Sequence, residues 1–249
     1  MIRALIMMLC LAAPAAAEEV VLGLSRDSVA ITATFDGDDI LVFGAVKRED
    51  MIPSDSNLEV IITVSGPDQP VTVRRKDQRL GIWVNTEAVE VDAAPSFYAV
   101  ATTSPMANVL SDVEDLRHHI TIPRAIRSVG ATVDDTASFT QALIRIRAGQ
   151  QLYQTLEGQV SLEEDTLFST AIELPANLTE GDYSTRIFLT RDGAVIDVYE
   201  TKIDVAKVGL ERWLYNLAHE NAFLYGLMSL FIAIVAGWGA SAIFQAFRR

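Results

Sequence analysis

From Glu19 onward apolar and polar residues alternate. Val20, Leu22 and Leu24 form one set, and Val29, Ile31 and Ala33 another. A period of two places each set on one face of a strand. Further strand-like runs are Ile40-Leu41-Val42-Phe43, Leu58 to Val64, Val71-Thr72-Val73, Ile82-Trp83-Val84 and Phe97 to Thr103. The breaks between them carry turn residues: Asp36-Gly37-Asp38, Pro53-Ser54-Asp55 and Gly66-Pro67-Asp68. Short β-rich runs at near-regular spacing predict an all-β sandwich.

The period changes at Ser111 to His119, which reads as a helix. Ser111 with Glu114 fits a capping box, and Pro123 is expected to end the segment. A second helix is expected over Thr136 to Gln151, where Phe139, Leu143 and Ile146 recur at helical spacing. Strands then return at Gln159 to Leu162, Leu167 to Leu174, Tyr183 to Thr190 and Val195 to Val205. The last two are joined by the turn Arg191-Asp192-Gly193. The expected fold is mainly β: two immunoglobulin-like β-sandwich modules with short helical insertions, plus one C-terminal transmembrane helix. The first module covers residues 18–125. Residues 126–207 hold a helix and the second module.

Both ends depart from this pattern. Arg3, the apolar run from Ala4 to Ala13 and the small residues Ala15 and Ala17 have the parts of a secretory signal peptide over residues 1–17, with cleavage before Glu18. At the other end, residues 222–244 carry no charge, and a helix of that length spans roughly 35 Å, enough for a bilayer. Arg248 and Arg249 follow, in a tail over residues 245–249. Basic residues beside a span favour the cytoplasmic side. Residues 208–221 form an amphipathic juxtamembrane stretch, with Leu210, Trp213, Leu214 and Leu217 on one face. Trp213 and Tyr215 suit a bilayer interface.

Composition removes several chemistries. Cys10 is the single cysteine and lies within the expected signal peptide, so the mature chain is expected to lack disulfides and thiol chemistry. The formal charge is -13, which argues against nucleic acid. Nucleophile motifs, phosphate-cradling glycine loops and metal-ligand signatures are missing from the sequence, and a cofactor is not expected. Asn177-Leu178-Thr179 is a glycosylation sequon, relevant only where secretion passes an endoplasmic reticulum.

Three clusters remain. Arg74, Arg75, Lys76 and Arg79, with Trp83 on the next strand, are candidates for binding a small oxyanion, because guanidinium groups match oxyanions in geometry. The same charges would also keep a hairpin edge from pairing with other chains. Glu114 with His118, and Asp115 with His119, have the i,i+4 spacing of a metal pair and equally of surface ion pairs. Adjacent histidines point about 100° apart on a helix, which works against a shared ion. In the apolar C-terminal segment, Ser229, Ala233, Gly237 and Ser241 recur every four residues as a helix-packing face, opposite Leu230, Phe231 and Ile234.

Several phrases together carry a family likeness. They are Val42-Phe43-Gly44-Ala45, Val73-Arg74-Arg75-Lys76, Gly81-Ile82-Trp83-Val84-Asn85, Pro95-Ser96-Phe97-Tyr98 and Lys207-Val208-Gly209-Leu210-Glu211. The chain resembles the putative transmembrane protein family of alphaproteobacteria over its mature length. The resemblance implies a bacterial inner-membrane protein, single-pass, with its bulk in the periplasm and its C-terminus in the cytoplasm. It implies no catalytic residues. It suggests association with a sulfite/taurine-exporter-type permease. The expected function is a non-enzymatic accessory protein, acting through the lipid bilayer and a polytopic partner or by self-association. The alternative is a periplasmic sensor of a small anion.

Overall fold

The structure, a computed structural model, describes residues 19–25, 28–31, 35, 37–47, 57–127, 135–207 and 210–247. The expected signal peptide, the turn at Pro53-Ser54-Asp55, Ala33 and the terminal arginines lie outside the described residues. The chain divides into two units, one of Met1–Val29 with Asp36–Val205, the other of Ala30–Phe35 with Ala206–Arg249.

The strands are β1 (Glu19–Leu24), β2 (Ser28–Ile31), β3 (Gly37–Lys47), β4 (Leu58–Ser65), β5 (Asp68–Arg79), β6 (Ile82–Pro95), β7 (Tyr98–Thr102), β8 (Tyr153–Leu156), β9 (Ser161–Glu163), β10 (Leu167–Pro175), β11 (Gly181–Arg191) and β12 (Ala194–Lys207). Among the described residues they form a four-stranded sheet in the order β1-β3-β10-β9, a six-stranded sheet in the order β2-β12-β11-β4-β7-β8, and a two-stranded ribbon, β5-β6. The helices are α1 (Met106–Val109), α2 (Asp112–His118), α3 (Ile122–Ala125), α4 (Thr136–Gly149), α5 (Leu210–Glu220) and α6 (Ala222–Phe247).

Both large sheets draw strands from either side of residue 125. β3 pairs with β10, β4 with β11, and β7 with β8. The two modules expected in sequence therefore share their sheets, because periodicity reveals strands but not their partners. The β7–β8 pair is parallel. Parallel neighbours need a long crossover, and α1 to α4 fill it. β8 was absent from the sequence reading.

β4 sits deep in the six-stranded sheet. Val60, Ile61, Ile62 and Val64 are fully buried, and alternation disappears because both faces are covered. Each such side chain contributes roughly 1.5–3 kcal/mol by leaving water. The neighbouring positions on β11, Ile187, Phe188 and Leu189, are buried in the same way. In the four-stranded sheet two glycines admit aromatic rings. A Cβ on Gly23 would meet the Phe43 ring, and one on Gly44 would meet the Phe168 ring. Each phenylalanine is the cross-strand partner of its glycine, so the ring covers a backbone with no side chain of its own.

The helices differ from expectation at their ends. Ser111 precedes α2 but its side chain makes no capping bond, so the expected capping box does not form. α2 stops at His118, with His119 in the left-handed region at φ 54. Pro123 lies in the first turn of α3, where a missing N–H costs nothing, and starts that helix rather than ending the preceding one. α4 buries Phe139 and Leu143, while Ile146 is exposed. In the second unit, Asn221 N donates to Leu217 O and Tyr225 N to Asn221 O, both at 3.1 Å. Helical bonding thus runs across Asn221, and α5 feeds into α6 without a loop.

Candidate functional site

Three places carry the residues singled out in sequence. The first is the β5–β6 ribbon. Its turn places Leu80 at φ 52 and Gly81 at φ 84, the double left-handed pattern of a two-residue hairpin loop. Register sets Lys76 opposite Asn85, Gln78 opposite Trp83 and Arg79 opposite Ile82. Strand alternation then divides the basic cluster: Arg74 and Lys76 share a face with Trp83, while Arg75 and Arg79 lie on the other. Arg75 is committed to its own protein. It bonds Glu87 at 2.8 Å, Asp135 at 3.0 Å and Ser138 Oγ at 2.7 Å, and stacks 4.7 Å over the Phe139 ring. These contacts fasten the ribbon to the start of α4. The Asp135 carboxyl is held below its usual range, first by the Ser138 hydroxyl and then by Arg75. Arg79 lies 3.8 Å from Asp77.

The second place is the C-terminal end of α2, packed on the six-stranded sheet. Arg186 Nη1 donates to His118 O at 2.9 Å and Nη2 to His119 O at 3.3 Å. A guanidinium there meets the free carbonyls and negative dipole end of the helix. Tyr98 Oη donates to Ile120 O at 2.7 Å, and the Arg186 guanidinium lies 5.2 Å from the Phe188 ring centre. Arg186 was not singled out in sequence, and Tyr98 only within the phrase Pro95-Ser96-Phe97-Tyr98, with no role attached. The available signal was a lone arginine within the apolar alternation from Tyr183 to Thr190.

Of the two acid–histidine pairs, one forms. Glu114 Oε2 is 3.3 Å from His118 Nε2, and Oε1 accepts from Arg117 at 2.6 Å. The His118 ring also meets Phe188 edge-on at 5.7 Å. Asp115 instead accepts from Ile120 N, Thr121 N and Thr121 Oγ at 3.1, 2.8 and 2.7 Å. It organises the chain after α2, and His119 lies past the helix end in the left-handed region. Among the described residues no group of three or more histidine, cysteine or acidic side chains is arranged around a common point for a metal.

The third place is α6. Residues Ala222–Ser241 are long and apolar enough to cross a membrane, and none of that stretch is buried within the protein. Ser229 Oγ donates to Tyr225 O at 2.9 Å, which satisfies the hydroxyl inside its own helix. A Cβ on Gly237 would meet nothing within 4 Å, so the helix has room for a neighbour at that position. Leu230, Phe231 and Ile234 are exposed on other sides. Just before the span, the Tyr215 and His219 rings stack at 4.0 Å.

A family model described as "Putative transmembrane protein (Alph_Pro_TM)" matches residues 19–246. No curated protein matches the chain.

Proposed function

Since the chain belongs to the family described as putative transmembrane proteins, matched over residues 19–246, we propose that it is a non-enzymatic accessory protein of the bacterial inner membrane. The β unit lies in the periplasm, α6 crosses the bilayer, and the C-terminus is cytoplasmic. The observation that carries this reading is the wholly exposed apolar helix of Ala222–Ser241 in the same chain as a folded β unit. A helix of that kind is stable only in lipid or against other helices.

The span packs on a polytopic partner, expected to be a permease of the sulfite/taurine-exporter type, through Ser229, Ala233, Gly237 and Ser241. Small residues let helix backbones approach closely, and in lipid that packing replaces the hydrophobic effect as the driving force. The test is co-purification of the full chain with the permease from membranes solubilised in a mild detergent. Recovery of the two together, with loss of the permease on Gly237→Leu, supports the reading. Recovery of the chain alone, and no effect of Gly237→Leu, overturns it.

The alternative, a small-anion sensor built on Arg74, Arg75, Lys76, Arg79 and Trp83, has weaker support. Arg75 is held by Glu87, Asp135 and Ser138, and the others divide between two faces of an open ribbon.

A further inference from the structure

The β5–β6 ribbon is long for its support. Val73 and Val89 are buried near its base, and beyond them every residue from Arg74 to Arg79 is exposed, as are Ile82 to Ala88 apart from the half-buried Val84. At its end stand three apolar side chains. Leu80 is 104 % exposed, Ile82 64 % and Trp83 67 %. Leu80 also occupies a left-handed position, at φ 52, that a leucine rarely adopts and glycine or asparagine would take more easily.

Arrangement indicates what the tip meets. Ile82 and Trp83 are adjacent in the strand and so project to opposite faces, with Leu80 at the apex. Each face of the tip thus carries an apolar side chain, Ile82 level with Arg79 and Trp83 level with Gln78. A protein groove reads one face of a strand and leaves the other in water, whereas a fluid apolar medium takes both. Behind the tip the charge is positive on the Trp83 face, which carries Lys76 and Arg74; on the Ile82 face Arg79 lies 3.8 Å from Asp77, and Arg75 is paired with Glu87 and Asp135. Lys76 is four residues from Leu80, about 13 Å along the strand. That matches a tip seated some 5–10 Å into the boundary between headgroups and acyl chains, with its cations at the phosphates. Tryptophan favours that boundary. The cluster is basic in a chain whose formal charge is -13, so its attraction to anionic lipid is local and oriented.

We propose that the ribbon tip of Leu80, Ile82 and Trp83 docks on an anionic lipid surface, with Lys76 and Arg74 behind it facing the phosphates. This gives the folded unit a lipid contact of its own that does not depend on any protein partner.

The test uses the full chain, one copy per lipid nanodisc, carrying Cys10→Ser and Leu80→Cys labelled with an apolar, environment-sensitive fluorophore. The discs contain phosphatidylcholine alone or with about 30 % phosphatidylglycerol, the anionic content needed for a sizeable surface potential. Vesicles of the same composition are added, so that a tip facing away from its own bilayer also meets lipid. The expected result with phosphatidylglycerol is a blue shift and a severalfold fall in iodide quenching. Both are lost in about 1 M salt, where the screening length is about 3 Å. Replacing Arg74→Gln and Lys76→Gln together weakens partitioning about twenty-five-fold, since each cation near such a surface is worth roughly fivefold. A label at Glu157→Cys, exposed elsewhere on the same unit, stays in water throughout. A Leu80 label that stays in water with both lipids overturns the proposal, as does equal protection at Glu157. Protection only in native membranes, and not with purified lipid, assigns the tip to a protein and also overturns it.

Discussion

Three buried tyrosines illustrate how single side chains hold the β unit. Tyr98 donates to Ile120 O, Tyr153 to Pro95 O at 2.8 Å and Tyr183 to Thr179 O at 2.8 Å. Each links a strand residue to a carbonyl outside its ladder. Burial makes the phenolate unfavourable and pushes Tyr153 and Tyr183 up to about 12. Burial raises Tyr98 too, against the opposing charge of Arg186. A raised folded-state pKa means that the folded protein keeps protons that the unfolded chain has lost. The associated stability is complete below pH ~10, the unfolded value, and disappears as the pH rises to about 12. The melting temperature of the full chain in detergent is therefore expected to fall over that window, and Tyr153→Phe to make the fall shallower. At neutral pH the same substitution costs about 1–3 kcal/mol, because Pro95 O loses its donor. An unchanged slope in Tyr153→Phe would show that this phenol is not the source.

Arg75 joins two elements, the ribbon and α4, and it is the residue whose role changed most between sequence and structure. In sequence it belongs to a basic cluster open to an anion. In the fold its partners come from Glu87 across the ribbon and from Asp135, Ser138 and Phe139, some sixty residues away. Linear spacing carries no sign of a contact that distant. Arg75→Ala is expected to speed amide hydrogen exchange in the first turn of α4, where Ser138 N bonds Asp135, while global stability changes by about 1 kcal/mol or less because the ion pairs are exposed. Exchange rates matching those of the unaltered protein would refute the fastening role. Strands with alternation, such as β1 and β10, and the continuous β-rich run of β4 were legible from their residues. Pairing was not, since β3 with β10 and β7 with β8 are joined across long separations that local patterns do not encode. The part of β5 beyond Val73 and the part of β6 after Val84 were missed for a related reason. A two-stranded ladder needs only backbone bonds, and charged side chains from Arg74 to Arg79 hide it from a hydrophobic pattern. The acid–histidine spacing was half informative, because the left-handed His119 ends the helix before the second pair can meet.

For the molecule as a whole, the most legible feature was the apolar C-terminal helix. Uncharged length is a direct consequence of bilayer thickness and needs no tertiary context. α6 extends over Ala222–Phe247, past the expected end at residue 244, and continues from α5 through the bonds at Asn221. Its open position at Gly237 is where the proposed function stands or falls. A photoreactive side chain introduced at Gly237 in native membranes, compared with one at Phe231 on the bulky side, tests that claim most directly. The account predicts a discrete adduct with a polytopic permease from Gly237 and lipid adducts from Phe231. Lipid adducts alone from both positions would contradict it.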